Sequence, residues 1–133
     1  MKISKNTILI TGGATGIGLA LAKQFIAQNN TVIVCSRRQE KLNEAKAVLP
    51  SLVIIQCDIS SVEQRRELFK TCVEKYPTVN ILINNAGIQR EIDFRKGEIE
   101  YLNGESETET NWKLLSINCI VYATLMKQKK VQL

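Results

Sequence analysis

The chain has 133 residues, 44% of them hydrophobic and 23% charged, the composition of one globular domain. Its net charge of +5 is scattered over short clusters (RR at 37–38, RR at 65–66, KQKK at 127–130) without aromatic interleaving, which argues against nucleic-acid binding, and no apolar run approaches the roughly 20 residues of a membrane span. With no histidine and no C-x-x-C among Cys35, Cys57, Cys72 and Cys119, triad hydrolases are excluded and zinc sites poorly supported; reduced thiols and an N-terminus lacking an apolar signal core predict a cytoplasmic protein.

In chain order, TILIT (7–11) is a short β-branched apolar run and predicts a strand. Gly12, Gly16 and Gly18 follow at the spacing G-x-x-x-G-x-G. Residues 16–28 then carry Ile17, Leu21 and Phe25, and also Leu19, Ala22 and Ile26, at helical spacing. TVIVC (31–35) is a second strand, and 39–49 is a polar-faced helix stopped by Pro50. LVIIQC (52–57) is a third strand. Residues 60–76 open on a serine cap followed by Glu63, a capping-box pattern, and end before Pro77. NILIN (80–84) is a fourth strand. Strands that are apolar throughout, alternating with helices of this length, predict parallel pairing with helices on both faces. Right-handed crossovers make this an α/β, Rossmann-like, doubly wound parallel sheet.

The glycines sit where the first strand turns into the first helix. Glycine there permits positive φ and removes side chains that would hold a ligand off the backbone. Free N–H groups and the positive end of the helix dipole then face a phosphate. The competing explanation is a tight turn needing glycine for geometry alone. A P-loop is excluded, because Leu19 rather than a lysine follows Gly18.

These residues resemble the short-chain dehydrogenases/reductases. The family's Thr-Gly-x-x-x-Gly-Ile-Gly motif is matched by Thr11, Gly12, Gly16, Ile17 and Gly18, and its Asn-Asn-Ala-Gly motif by Asn84, Asn85, Ala86 and Gly87. Asp58 and Ile59, after the third strand, match the position at which the family contacts the adenine ring. The stretch NNAGIQREIDF resembles the DltE-type branch in particular. The resemblance implies a dinucleotide cofactor and, in full-length relatives, a small carbonyl or alcohol substrate. It also implies an incomplete sheet of about four strands in the order 3-2-1-4, one partial cofactor-binding domain over residues 1–133. In that order Asn85, Ala86 and Gly87 lie beside the first strand's loop, where small residues leave room for ribose and nicotinamide.

Cofactor choice is read at the end of the second strand. An acidic residue there accepts from the ribose 2′-OH, whereas arginine accommodates a 2′-phosphate. The sequence has Ser36 at that position, then Arg37 and Arg38, so NADP is expected, with NAD the alternative. The basic residue that NADP-preferring relatives often carry inside the glycine loop is replaced by Thr15.

Family catalysis uses a tyrosine with a lysine four residues on, a serine, and an asparagine. Four residues beyond Tyr76, Tyr101 and Tyr122 stand Asn80, Glu105 and Met126, so no such pair is present. Asn111 is the best match for the asparagine, with Asn118 the lesser candidate. The chain as written is therefore expected to be catalytically inert, and a non-catalytic nucleotide-binding or scaffold protein is the alternative. Resemblance is expected to lapse after Lys113. CIVYAT (119–124) can be encoded so that reading one base later, and on into Leu125, gives Ala-Leu-Phe-Met-Pro-His, a family-like segment; this makes 114–133 a frameshifted or degraded stretch, against the plainer reading of a divergent C-terminus. An open edge on the fourth strand and the apolar LLSINCIVYATLM predict poor stability, self-association or a homodimer.

Overall fold

A computed structural model describes residues 4–87. Strands β1 (Thr7–Thr11), β2 (Thr31–Ser36), β3 (Val53–Gln56) and β4 (Val79–Asn84) alternate with helices α1 (Gly16–Ala27), α2 (Gln39–Val48) and α3 (Val62–Lys75). All pairings are parallel, and the order is β3-β2-β1-β4.

Alternation along the strands builds two cores. On one face, Ile8, Ile10, Val32 and Val34 pack with Ala22 of α1 and with Leu42 and Ala45 of α2. On the other, Leu9, Ile33 and Cys35 pack with Leu68 and Cys72 of α3. Thus α1 and α2 cover one face and α3 the other. Right-handed crossovers produce this when the chain leaves β1 first toward β3 and then returns to β4. Ile8, Ile10 and Ile33 are fully buried, and each such side chain contributes about 1.5–3 kcal/mol. Ile81, Leu82 and Ile83 of β4, at the sheet edge among the described residues, are only half-buried.

The amino ends of the strands are tied by side chains. Helix α1 ends with Asn29 at φ 60°, its N–H donating to the Ile26 carbonyl at 3.0 Å and that of Asn30 to the Phe25 carbonyl at 3.2 Å, a Schellman ending. Asn30 is thereby placed so that its Oδ1 accepts from the Asn6 amide at 3.0 Å and from Asn6 Nδ2 at 3.1 Å. Between β1 and β4 the register slips by one residue, Thr7 facing Val79 and Ile8 facing Ile81. The bulged residue, Asn80, accepts from the Thr7 amide at 3.0 Å and donates to Asn6 Oδ1 at 2.9 Å. Its side chain thus supplies the bond that the bulge takes from the ladder.

Helix α3 begins one residue later than the capping pattern predicts. Ser61, not Ser60, is the cap: its Oγ accepts from the Gln64 amide at 3.3 Å and donates to Glu63 Oε2 at 3.0 Å. Ser60 is already engaged, its amide and hydroxyl donating to Asp58 Oδ1 at 2.9 and 2.8 Å. The Glu63 backbone N–H, then the Ser61 hydroxyl, hold the Glu63 carboxyl below its ordinary range. Asn111, Asn118, the loop 89–108 and the segment 114–133 lie outside the described residues.

Candidate cofactor site

The carboxyl ends of the strands carry the sequence-predicted residues. Thr11, the last residue of β1, is fully buried. Its hydroxyl accepts from the amides of Asn85 and Ala86, both at 3.1 Å, and donates to the Ile83 carbonyl at 3.5 Å. Asn85 returns the contact, its Nδ2 donating to the carbonyls of Thr11 and Gly12 at 3.2 and 3.1 Å. The turn after β1 and the Asn-Asn-Ala-Gly segment after β4 are therefore one bonded unit.

The glycines divide by what surrounds them. A methyl on Gly12 would lie 2.9 Å from the Ala86 Cα, one on Gly13 2.4 Å from Val34 Cγ1, and one on Gly18 2.5 Å from Asn85 Nδ2 and 2.6 Å from the Gly12 carbonyl oxygen. These three are demanded by close approach. Gly16 faces open space, and its φ of +55° is what demands glycine there. Turn geometry and ligand access thus share the motif.

Thr15 caps α1 in extended geometry, yet its hydroxyl makes no capping bond, and the first turn holds no acidic residue. The amides of that turn, with the positive end of the helix, meet the space beyond Gly16. That space is a cleft of about 360 Å³. Gly12, Thr15 and Ile17 form its first wall, and Cys35, Ser36, Arg37 and Arg38 its second. Cys57 and Ile59 continue the wall after β3, and Asn85, Ala86 and Gly87 close it after β4. Ile17 stands 76% exposed at the mouth.

Arg37 and Arg38 are exposed. Among the described residues no carboxylate lines the cleft, and the one ion pair is Lys41–Glu44, elsewhere on α2. Four predicted residues, Thr11, Gly16, Gly18 and Asp58, do not line the cleft. Thr11 and Gly18 hold its framework together. Asp58 takes part in the turn entering α3, where its amide donates to Gln64 Oε1 at 2.7 Å.

Gly13, Thr15, Cys35 and Cys57 were not singled out by sequence as site residues. Gly13 adjoins Gly12, and the cysteines are the last apolar residues of their strand runs, so position alone carried a signal. Burial pushes Cys35 far above the ordinary thiol range, and burial followed by the neighbouring Asp58 pushes Cys57 up to about 11. Both are uncharged floor, and they are free thiols. Among the described residues no group of three or more His, Cys, Asp or Glu is placed to hold a metal ion, and no helix is long and apolar enough to cross a membrane.

A doubly wound sheet with a glycine turn at the carboxyl end of β1, joined to an Asn-Asn-Ala-Gly turn after β4, defines the Rossmann-like class of dinucleotide folds. The sequence matches the short chain dehydrogenase family over residues 6–130, and the chain belongs to that family, whose members use NAD or NADP. It is 44% identical to the "Uncharacterized oxidoreductase DltE" of Bacillus subtilis (strain 168) over 129 residues, 96% of this chain and 51% of that protein. It is 38% identical to the NADPH-dependent pterin aldehyde reductase of Arabidopsis thaliana over 88 residues, 64% of this chain and 36% of that one. Among solved structures, a short chain dehydrogenase from Bacillus anthracis superposes with a TM-score of 0.64 at 26% identity, over 71% of this chain and 40% of that one. A putative short-chain dehydrogenase from Novosphingobium aromaticivorans has a TM-score of 0.72 at 23% identity, over 96% of this chain and 47% of that one, a likeness of fold. The chain spans about half the length of DltE.

Proposed function

We propose that these residues bind a nicotinamide dinucleotide, NADP in preference to NAD, as the cofactor half of an oxidoreductase acting on a small carbonyl or alcohol substrate. The observation that carries this reading is the cleft itself: the start of α1, Arg37 with Arg38, and Asn85–Gly87 meet around about 360 Å³, with no carboxylate among the described residues of the wall. Residues and ligand fit. Amides of the first turn, with Thr11, Gly12, Gly16, Ile17 and Gly18 shaping their approach, suit a pyrophosphate. Ser36, Arg37 and Arg38 offer a 2′-phosphate two guanidinium groups and no repelling charge. Ile59, beside Asp58, offers an apolar wall to adenine, and Asn85, Ala86 and Gly87 leave space for the nicotinamide end. When bound, the cofactor supplies or accepts hydride.

The chain's own residues bind and orient. The Tyr-x-x-x-Lys pair that would donate a proton is absent from the 133 residues, and positioned acid catalysis is worth roughly 10²–10⁴-fold. The 133-residue chain is accordingly proposed to bind cofactor without turning over, with Asn111 the family asparagine it retains. Reduction of any carbonyl above a Gly16→Ala control would overturn the inert reading. The family match runs on to residue 130, past Lys113; within it CIVYAT (119–124) is proposed to be read out of frame, and DNA across codons 110–133 that offers no family-like alternative frame would dismiss this.

Calorimetry tests the cofactor assignment. NADP is expected to bind more tightly than NAD, and Arg37→Ala to cost NADP about 1.5–3 kcal/mol while leaving NAD unchanged. Equal affinities, unaltered in the variant, would overturn it.

A further inference from the structure

Helix α3 turns a stripe of Arg65, Leu68 and Cys72 toward the core. Leucine and cysteine suit that position. An arginine does not, because burying a guanidinium away from water is costly unless its donors are met. Arg65 is nonetheless 8% exposed. Among the described residues it makes one side-chain hydrogen bond and no ion pair: its guanidinium donates to the Ile59 carbonyl oxygen at 2.7 Å. A helical side chain leans toward the start of its own helix, which carries this one back beneath the turn between β3 and α3.

Ile59 belongs to two places at once. Its side chain packs in the core with Leu68 and Cys72, and it also lines the cleft beside Cys57. The residue before it is held from the same helix turn, since Gln64 Oε1 accepts from the Asp58 amide at 2.7 Å. Successive residues of α3, Gln64 and Arg65, therefore grip successive residues of the turn that carries the cleft wall, one as acceptor from Asp58 and one as donor to Ile59. An apolar residue at 65 would fill the stripe at lower cost and leave the Ile59 carbonyl without this donor.

We propose that Arg65 is a positioning residue: from behind the cleft it fixes Ile59 as the apolar wall against which the adenine of the bound nucleotide rests. The proposal rests on the cofactor reading above. It predicts that losing Arg65 loosens recognition of adenine and leaves recognition of phosphate intact.

The test uses the 133-residue chain, the variants Arg65→Leu and Arg65→Lys, and two probes, 2′,5′-ADP and inorganic pyrophosphate. Arg65→Leu is expected to weaken 2′,5′-ADP about tenfold, to leave pyrophosphate affinity unchanged, and to keep or raise the thermal midpoint. Arg65→Lys, which retains a donor on a long stem, should recover most of the loss. In the unliganded protein, amide hydrogen exchange across Cys57–Ser61 should quicken in Arg65→Leu and return toward wild type in Arg65→Lys. An equal loss for both probes, or an unchanged 2′,5′-ADP affinity, would overturn the positioning role. Unchanged exchange across Cys57–Ser61 would overturn it whether or not nucleotide binds. Failure of the wild-type chain to bind 2′,5′-ADP would instead remove the cofactor reading, with the exchange result still deciding whether Arg65 holds the turn.

Discussion

The two ends of the sheet solve opposite problems with the same kinds of residue. At the amino end, asparagine side chains close the structure: Asn6, Asn30 and Asn80 bond one another and the strand backbone, and Thr7 Oγ1 lies 2.9 Å from Thr78 Oγ1. At the carboxyl end, Thr11 and Asn85 bond only to each other's neighbourhood, on the inner side of the turn. The outer side, where α1 begins, keeps its donors for the cleft. An asparagine amide thus seals a bulge at one end and braces an opening at the other. Direction decides the difference. Parallel strands start all their helices at one end, and helix N-termini leave amides over that a closed end cannot tolerate.

Three experiments sharpen this contrast. The largest effect belongs to Gly18→Ala at the open end. The added methyl would collide with Asn85 Nδ2 and the Gly12 carbonyl oxygen and break the bonds between the two turns. A loss of about 3 kcal/mol is expected in denaturant unfolding, together with nucleotide binding. Near-wild-type stability would mean that Asn85 is dispensable to the framework. Next comes Asn80→Ala at the closed end. It removes an acceptor from the Thr7 amide and a donor from Asn6, so stability should fall by about 1–2 kcal/mol while nucleotide affinity holds. A parallel fall in affinity would show that the ends are not separable.

The smallest effect is alkaline. Burial and Asp58 raise Cys57, and burial raises Cys72, from 9.0 to about 11. Above pH 9 the unfolded chain releases these protons while the folded chain keeps them. The contribution to stability is therefore complete below pH 9 and is lost as pH rises through about 11. Thermal midpoints of the wild type should fall more steeply between pH 9 and 11 than those of a Cys57→Ala, Cys72→Ala double variant. Parallel slopes would place the alkaline loss elsewhere.

How much of this was legible in the sequence depended on how local the cause was. The strand and helix runs and their order follow from apolar patterning, and the observed order β3-β2-β1-β4 agrees with the order implied by resemblance. Ile17 shows where spacing misleads. It continues the helical periodicity of Leu21 and Phe25, yet it is exposed and lines the cleft rather than the core. The cap of α3 was displaced by one residue, since Asp58 competes for Ser60 and two adjacent serines give the same pattern. Asn80 reads as an ordinary first residue of β4, and nothing near it in sequence announces a bulge against Thr7. Thr11 was legible as a motif residue, but its hydroxyl partners at Asn85 and Ala86 stand far along the chain. Arg65 was legible only as a charge in a basic pair.

The bond between the two turns also sets a schedule. Thr11 and Ala86 are 75 positions apart, and at roughly 5–20 residues per second a ribosome needs about 4–15 s to travel between them. During that interval β1 can pair with β2, but one of its edges and the glycine turn wait for β4. The cleft's last wall is made last, so the emerging chain has no finished place for a nucleotide until residue 86 has cleared the tunnel. A nucleotide that uses this cleft therefore arrives only after β4 has joined the sheet.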